Sequence, residues 1–313
     1  MALLDPGSLG PSPLVFGGGS IGGLYAPVSD DEAAQTLEGA WAAGIRAFDT
    51  APHYGVGLSE RRIGDFLAGR PRGEFIVSTK VGRLLVPATG SVEGTEGFYG
   101  TPPLSRVRDY SRDGVLASLE GSLRRLRLDR VDIALIHDPE DFMSAALDDA
   151  YPALADLRAQ GVVGAIGAGM NSAAPLSWLV KRCDLDCVLV AGRYTLLDRS
   201  AADSLLPACL QRGIAVLAGA VFNSGILADP REGARYDYAP APAAVAVRAR
   251  RMHDACARYG VPLAAAALRF TLRHPAVTAA VVGARTPAEI LSDVSYLSTH
   301  IPAALWAELE GLS

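Results

Sequence analysis

Short apolar runs alternate with amphipathic helical patterns along nearly the whole chain, and the joint from helix to run is punctuated the same way three times. WAAGIRAFD, RAQGVVGAIG and LQRGIAVLAG each place a glycine, Gly44, Gly161 or Gly213, between the last helical residue and the next apolar run. Glycine there can take the left-handed conformation that ends a helix and turns the chain back to a sheet. Strand candidates lie at about 14–17, 45–49, 75–80, 131–136, 162–167, 187–190, 214–218 and 278–282. Between them run DDEAAQTLEGAWAAG, with Ser29 as its N-cap, SERRIGDFLAG, DGVLASLEGSLRRLRL, AALDDAYPALADLRAQG, AAPLSWLVKR and AADSLLPACLQRG. Repeated βα units imply parallel strands, and strands apolar throughout are buried on both faces. Eight of them predict an α/β fold, a single (β/α)8 barrel over residues 1–313, with active-site loops at about 82–112 and 219–243.

Composition excludes several classes. The 313 residues are 50% hydrophobic and 20% charged with a net charge of −5, which gives no electrostatic footprint for nucleic acid. No stretch is apolar enough to span a membrane, and MALLDPGSLGPSP lacks the basic and apolar regions of a signal peptide, so a cytoplasmic protein is expected. The four cysteines, Cys183, Cys187, Cys209 and Cys256, have neither zinc-type nor redox spacing and are expected to be buried reduced thiols, with no metal site.

Four chemically capable residues fall at the same end of successive strand candidates. IRAFDTAPHYG carries Asp49 and Tyr54, FIVSTKVG carries Lys80, and VDIALIHDPED carries His137. If these strands are parallel neighbours, the side chains converge. A tyrosine ionises near pH ~10 and needs a nearby cation to act as an acid or base at neutral pH; lowering its pKa by two units would take roughly 2.7 kcal/mol of differential interaction. Lys80 can supply the cation, Asp49 can hold the lysine charged and aimed, and His137 can donate to a substrate oxygen. Such a site moves a proton on or off an oxygen while something else moves a hydride, so a cofactor is required.

Phe98, Tyr99, Tyr110, Tyr236 and Tyr238 in the two long loops imply segments that pack over the barrel mouth. Gly17, Gly19 and Gly22 in FGGGSIGG match a dinucleotide-binding GxGxxG spacing, but Pro27 and the polar VSDD stretch stand where the helix should open. These glycines are expected instead to let backbone pass close to a ligand at the barrel mouth.

With those residues in view, the chain resembles the aldo-keto reductases over nearly its whole length. The resemblance runs from PLVFGGGSIGG through DTAPHYGVGLSE, STKVG, DYSRDGVLASLEGSLRRL, IHDPED, AIGAGMN and RYTLLDR to VVGARTPAEILSDV. The phrases DYSRDG, IHDPED, AGRYTLLDR and FNSGILADP are similar to the branch of sugar C1 dehydrogenases (D-threo-aldose or L-fucose, and L-galactose) and pyridoxal 4-dehydrogenases. The resemblance implies that Tyr54 is the acid/base, tuned by Lys80 and Asp49, with His137 orienting the reacting oxygen. It implies a nicotinamide cofactor held by Asn171, by Ser224 and Gly225 along the pyrophosphate, and by Gly283, Arg285, Glu289 and Asp293 at the adenosine end. Three positions depart from the commoner pattern: the lengthened turn Gly167 to Asn171, Ala191 in place of a glutamine, and Gly219 in place of an aromatic that stacks on nicotinamide.

Glu289 stands where NADP-preferring members offer a basic residue, so NAD is the expected cofactor, with NADP use left open by Arg285. The expected substrate is an aldose of the L-fucose, L-galactose or D-arabinose type, oxidised at C1 to its lactone, with His53, Tyr99 and Tyr110 as hydroxyl contacts. Pyridoxal 4-dehydrogenation, general NADPH-dependent aldehyde or ketone reduction and a non-catalytic cofactor-sensing role are the alternatives. The partner expected is a small sugar or hemiacetal, and the assembly a monomer or small homo-oligomer.

Overall fold

A computed structural model describes residues 12–312. Residues 1–11, most of the stretch read above as lacking a signal peptide, and Ser313 lie outside the described residues. In chain order the strands are β1 (Leu14–Gly17), β2 (Ala47–Asp49), β3 (Ile76–Val81), β4 (Arg83–Pro87), β5 (Leu104–Arg108), β6 (Val131–His137), β7 (Val163–Met170), β8 (Cys187–Ala191), β9 (Ala215–Gly219), β10 (Arg235–Tyr236), β11 (Ala239–Pro240) and β12 (Val277–Val282). Eight of these close a barrel in the order β1-β12-β9-β8-β7-β6-β3-β2, every pairing parallel. The described helices are α1 (Asp30–Ala42), α2 (Leu58–Leu67), α3 (Arg112–Leu126), α4 (Met143–Ala145), α5 (Tyr151–Ala159), α6 (Ala173–Val180), α7 (Leu205–Arg212), α8 (Ala243–Arg258), α9 (Leu263–Thr271), α10 (Pro287–Tyr296) and α11 (Ala303–Gly311).

The elements form where local chemistry directs them. Ser29 caps α1 in a reciprocal box: its hydroxyl accepts from the Glu32 N–H while the Glu32 carboxylate accepts from the Ser29 N–H. Gly44, Gly161 and Gly213 all have positive φ (87°, 75° and 66°), the left-handed turn expected of them. Between α4 and α5 the helix widens into a π turn at Ala146–Ala150, just before Pro152, whose ring has no N–H and crowds the carbonyl four residues back.

Side chains alternate across each strand, and that period of two builds two cores. Val15, Ala47, Ile76, Ile133, Leu135, Leu189 and Val281 fill the barrel interior. Leu14, Phe16, Phe48, Val77, Ala134 and Ile136 face outward into the layer beneath the helices. A third cluster joins α8, α9 and α11 to Leu196, Leu197, Ile226 and Leu227. All four cysteines are buried and free of disulfides.

The two long loops differ from the irregular segments expected. Residues 82–112 contain the antiparallel hairpin β4–β5, paired from Arg83↔Arg108 to Pro87↔Leu104, and residues 219–243 contain the small hairpin β10–β11. Neither hairpin joins the barrel sheet. Their pairing was invisible to a local pattern because it spans the Gly- and Pro-rich segment 88–103 in one case and extends over two residues per strand in the other. Among the described residues, no helix is long and apolar enough to cross a membrane, and no His, Cys, Asp and Glu group could hold a metal.

Candidate active site

Strand parity decides which residues reach the barrel axis. Asp49 is two residues beyond the inward Ala47, Lys80 four beyond Ile76, and His137 two beyond Leu135, so all three face inward at the C-terminal ends of their strands. Register holds them together: Asp49 pairs with Ser78, and Lys80 with Leu135. Tyr54 follows on the turn between β2 and α2, its N–H bonded to Ala51 O and its carbonyl accepting from Ser59 N–H.

Lys80 Nζ donates to Asp49 Oδ2 at 2.7 Å and to the Thr50 carbonyl at 2.9 Å, with both ionised side chains almost fully buried. It also lies 4.5 Å from the centroid of the Tyr54 ring. Burial pulls the Lys80 pKa down, but Asp49 and Tyr54 outweigh it and hold the ammonium above its ordinary range. Tyr54 differs from the expected lowering: burial raises its pKa and outweighs the opposing pull of Lys80. Lys80 therefore reduces the cost of a phenolate without making it the resting state. Burial, reinforced by the Arg83 and Lys80 cations, keeps His137 neutral, well below the usual imidazole range. Its Nδ1 is buried without a protein partner.

These four residues stand at the inner end of a cavity of about 730 Å³ that runs past Asn171 and Gly219 to α10. Gly169, Ala191 and Gly219 form a low wall beside them; a Cβ on Gly219 would stand 3.3 Å from Leu189 Cδ2. Further out, Ser224 and Gly225 sit in a tight turn with φ of 59° and 100°, and the Ser224 hydroxyl accepts from the Tyr238 N–H. At the far end Thr286 caps α10, the Glu289 carboxylate accepts from the Arg285 N–H at 2.8 Å, and the Arg285 side chain donates to the Ala26 and Pro27 carbonyls. Gly283, Arg285, Glu289 and Asp293 all line this end. Burial, with the Glu289 charge beside it, pushes the Asp293 carboxyl up to about 7. A flat slot beside Asp49, Tyr54, Lys80 and His137, a left-handed turn and a helix N-terminus in one continuous cavity fit a nicotinamide dinucleotide. Gly17 and Gly19 line the cavity too, and the chain after them enters a short 3-10 turn at Ser20–Gly22.

The expected substrate contacts divide. His53 lines the cavity, its Nδ1 3.1 Å from Glu96 Oε2 and 3.0 Å from Arg83 Nη1, and burial lowers its pKa to about 4. Tyr110 does not line it: the ring packs against Gly82 and the hydroxyl donates to the His137 and Asp138 carbonyls, positioning the strand end. Tyr99 is also set outside, its backbone against Gly23, while its neighbour Phe98 turns inward and stacks near Tyr54 with centroids 6.2 Å apart. The loop arginines are spent on protein partners, Arg106 on the His53 carbonyl and Arg108 on Asp141. Glu96, Phe98, Asp138 and Tyr238 line the cavity, and none was singled out as a site residue from sequence. Asp138 could have been, since it follows His137 directly; Glu96 lies in a stretch with no periodicity.

Comparison with known proteins follows the same lines. The Aldo/keto reductase family profile matches residues 13–313. A D-threo-aldose 1-dehydrogenase from a Pseudomonas species is 45% identical over 303 residues, covering 95% of this chain and 92% of that protein. A pyridoxal 4-dehydrogenase from Microbacterium luteolum is 40% identical, covering 96% and 94%. The solved structure of a glycerol dehydrogenase from Gluconobacter oxydans superposes with a TM-score of 0.75 at 24% identity, covering 96% and 91%, and shares the fold. An eight-stranded parallel barrel, a lysine–aspartate pair set against a tyrosine at its C-terminal mouth and a match from residue 13 to the chain end lead to one conclusion: this chain belongs to the aldo/keto reductase family and is an oxidoreductase.

Proposed function

We propose that the protein oxidises an aldose of the L-fucose, L-galactose or D-arabinose type at C1 to its lactone, using NAD in preference to NADP. The observation that carries this reading is the buried Lys80–Asp49 pair, 2.7 Å apart, set against the Tyr54 hydroxyl at the inner end of the cavity. The 45% identity to a D-threo-aldose 1-dehydrogenase supports the substrate class. In oxidation the substrate hydroxyl gives its proton to the Tyr54 oxygen while the hydrogen on C1 leaves as hydride. A bound nicotinamide supplies the acceptor for that hydride. Neutral His137 donates a hydrogen bond to the reacting oxygen, and Lys80 offsets the charge that a deprotonated Tyr54 carries.

NAD is favoured because Glu289 puts a carboxylate at the adenosine end, where a 2′-phosphate would add like charge, while Arg285 is engaged by two backbone carbonyls. Pyridoxal, whose hemiacetal presents the same H–C–O–H unit, is the second reading, favoured by the 40% identity to a pyridoxal 4-dehydrogenase. The test is the appearance of reduced cofactor when purified protein meets NAD⁺ or NADP⁺ with L-fucose, L-galactose, D-arabinose, L-glucose or pyridoxal in turn. NADH formation with an aldose supports the first reading and with pyridoxal alone the second. Silence across the panel, with NADPH consumed by simple aldehydes, overturns both in favour of a general reductase.

A further inference from the structure

The segment joining β4 to β5 carries a carboxylate into the cavity mouth and fixes it there. Residues 97–99 lie against residues 23–25: Tyr25 N–H donates to the Gly97 carbonyl at 2.8 Å, Tyr99 N–H to the Gly23 carbonyl at 3.0 Å, and Leu24 pairs with Phe98. Gly23 permits this approach, since a Cβ there would lie 2.2 Å from the Tyr99 carbonyl oxygen. Glu96, at the edge of this tie, is held at φ 53°, a left-handed backbone that a residue other than glycine adopts only when its surroundings hold it there.

Glu96 Oε2 is approached by His53 Nδ1 at 3.1 Å, Arg106 Nε at 3.3 Å and Arg83 Nη1 at 3.6 Å. All three nitrogens approach the same oxygen, and His53 Nδ1 also lies 3.0 Å from Arg83 Nη1, a group that can only donate. The His53 ring beside it, with the Arg106 and Arg83 cations, holds the carboxyl down at about 2, so it is an acceptor only. The His53 ring that anchors it stands with its centroid 5.8 Å from the Tyr54 ring and 5.5 Å from the His137 ring. The carboxylate is thus one imidazole away from the pair at the reacting oxygen, with the Phe98 ring beside it as an apolar platform. An acceptor at that offset, next to an aromatic face, suits a substrate with hydroxyls on one side and C–H bonds on the other.

We propose that Glu96 is a specificity-determining residue that accepts a hydrogen bond from a substrate hydroxyl on the first or second carbon beyond the reacting centre, so that hydroxylated aldehydes and hemiacetals are taken in preference to unsubstituted ones. The proposal deepens the reading of the site as a sugar dehydrogenase. Its test runs in the reductive direction on short aldehydes, so that it is decided whether or not any aldose is oxidised. Wild-type protein, Glu96→Gln and Glu96→Gly are compared on glyceraldehyde and propanal with NADH or NADPH; the glycine variant removes the carboxylate while accepting the backbone geometry. The proposal expects wild type to prefer glyceraldehyde, and both variants to lose about tenfold or more in that preference, as befits a hydrogen bond to a charged acceptor, with the loss mainly in KM. Equal wild-type rates on the two aldehydes, or no glyceraldehyde turnover, would overturn it. So would a parallel fall on both substrates, which assigns Glu96 to holding His53 alone, or a preference unchanged in both variants.

Discussion

Tyr54 holds a proton that burial makes hard to remove and that Lys80 makes less hard to remove, and this balance gives the reaction a direction in pH. With its pKa above the ordinary value of about 10, kcat/KM for oxidation should keep rising through pH ~9, because the base form is the minor one throughout. A plateau reached below neutrality would contradict that placement. Tyr54→Phe should lower turnover by roughly 10²- to 10⁴-fold, with cofactor binding, followed by quenching of protein fluorescence, left intact. At the other end of the cavity Asp293 is raised to about 7 from an ordinary value near 3.8. A raised acid favours the protonated native state, so the carboxylate costs stability increasingly as pH climbs from about 4 to 7. Asp293→Asn should therefore raise the melting temperature at pH 8 and leave it nearly unchanged at pH 3.5. Asp49, Lys80 and His137 were legible because each ends a strand on the inward parity. Glu96 and Phe98 were not, since nothing local distinguishes the inward Phe98 from the outward Tyr99; pairing with residues 23–25 decides it.

At the scale of elements, what the sequence announces is what neighbouring residues decide among themselves. Ser29 predicts the start of α1, and the structure completes the box with Glu32 three residues on; Ser29→Ala should cost about 1 kcal/mol in urea unfolding. The β4–β5 hairpin escaped notice for the opposite reason: its partners, Arg83 and Arg108 among them, meet only across a long irregular connection. Strand ends show the same contrast. β2 begins two residues later than the apolar run suggests and β7 runs to Met170, since strand length is set by the neighbour on each side as well as by composition.

For the whole molecule, acid sensitivity should trace to the charged cluster at the mouth together with the buried His137, whose lowered pKa acts with the same sign. His53 is lowered to about 4 from 6.5, so the unfolded chain binds the extra proton between those values and the native state loses stability as pH falls through them. Glu96, lowered to about 2 from 4.5, adds a second loss beneath pH ~4.5 by the same sign. Melting temperature should fall from pH 7 to pH 4 in the wild type and less steeply in His53→Asn. The eight-stranded plan was readable because each βα unit repeats a local pattern that closure then multiplies. The two hairpins lie outside the barrel sheet, and β4–β5 with its connecting segment is tied back to residues 23–25 and to the His53 carbonyl. Asp49, Lys80 and His137 belong to the barrel strands and Tyr54 to the turn after β2, while Glu96 rides on an appendage seated on the barrel's own loops. A graft of residues 82–109 into a relative should therefore carry the proposed preference only where the recipient also offers a glycine and a histidine at the positions of Gly23 and His53.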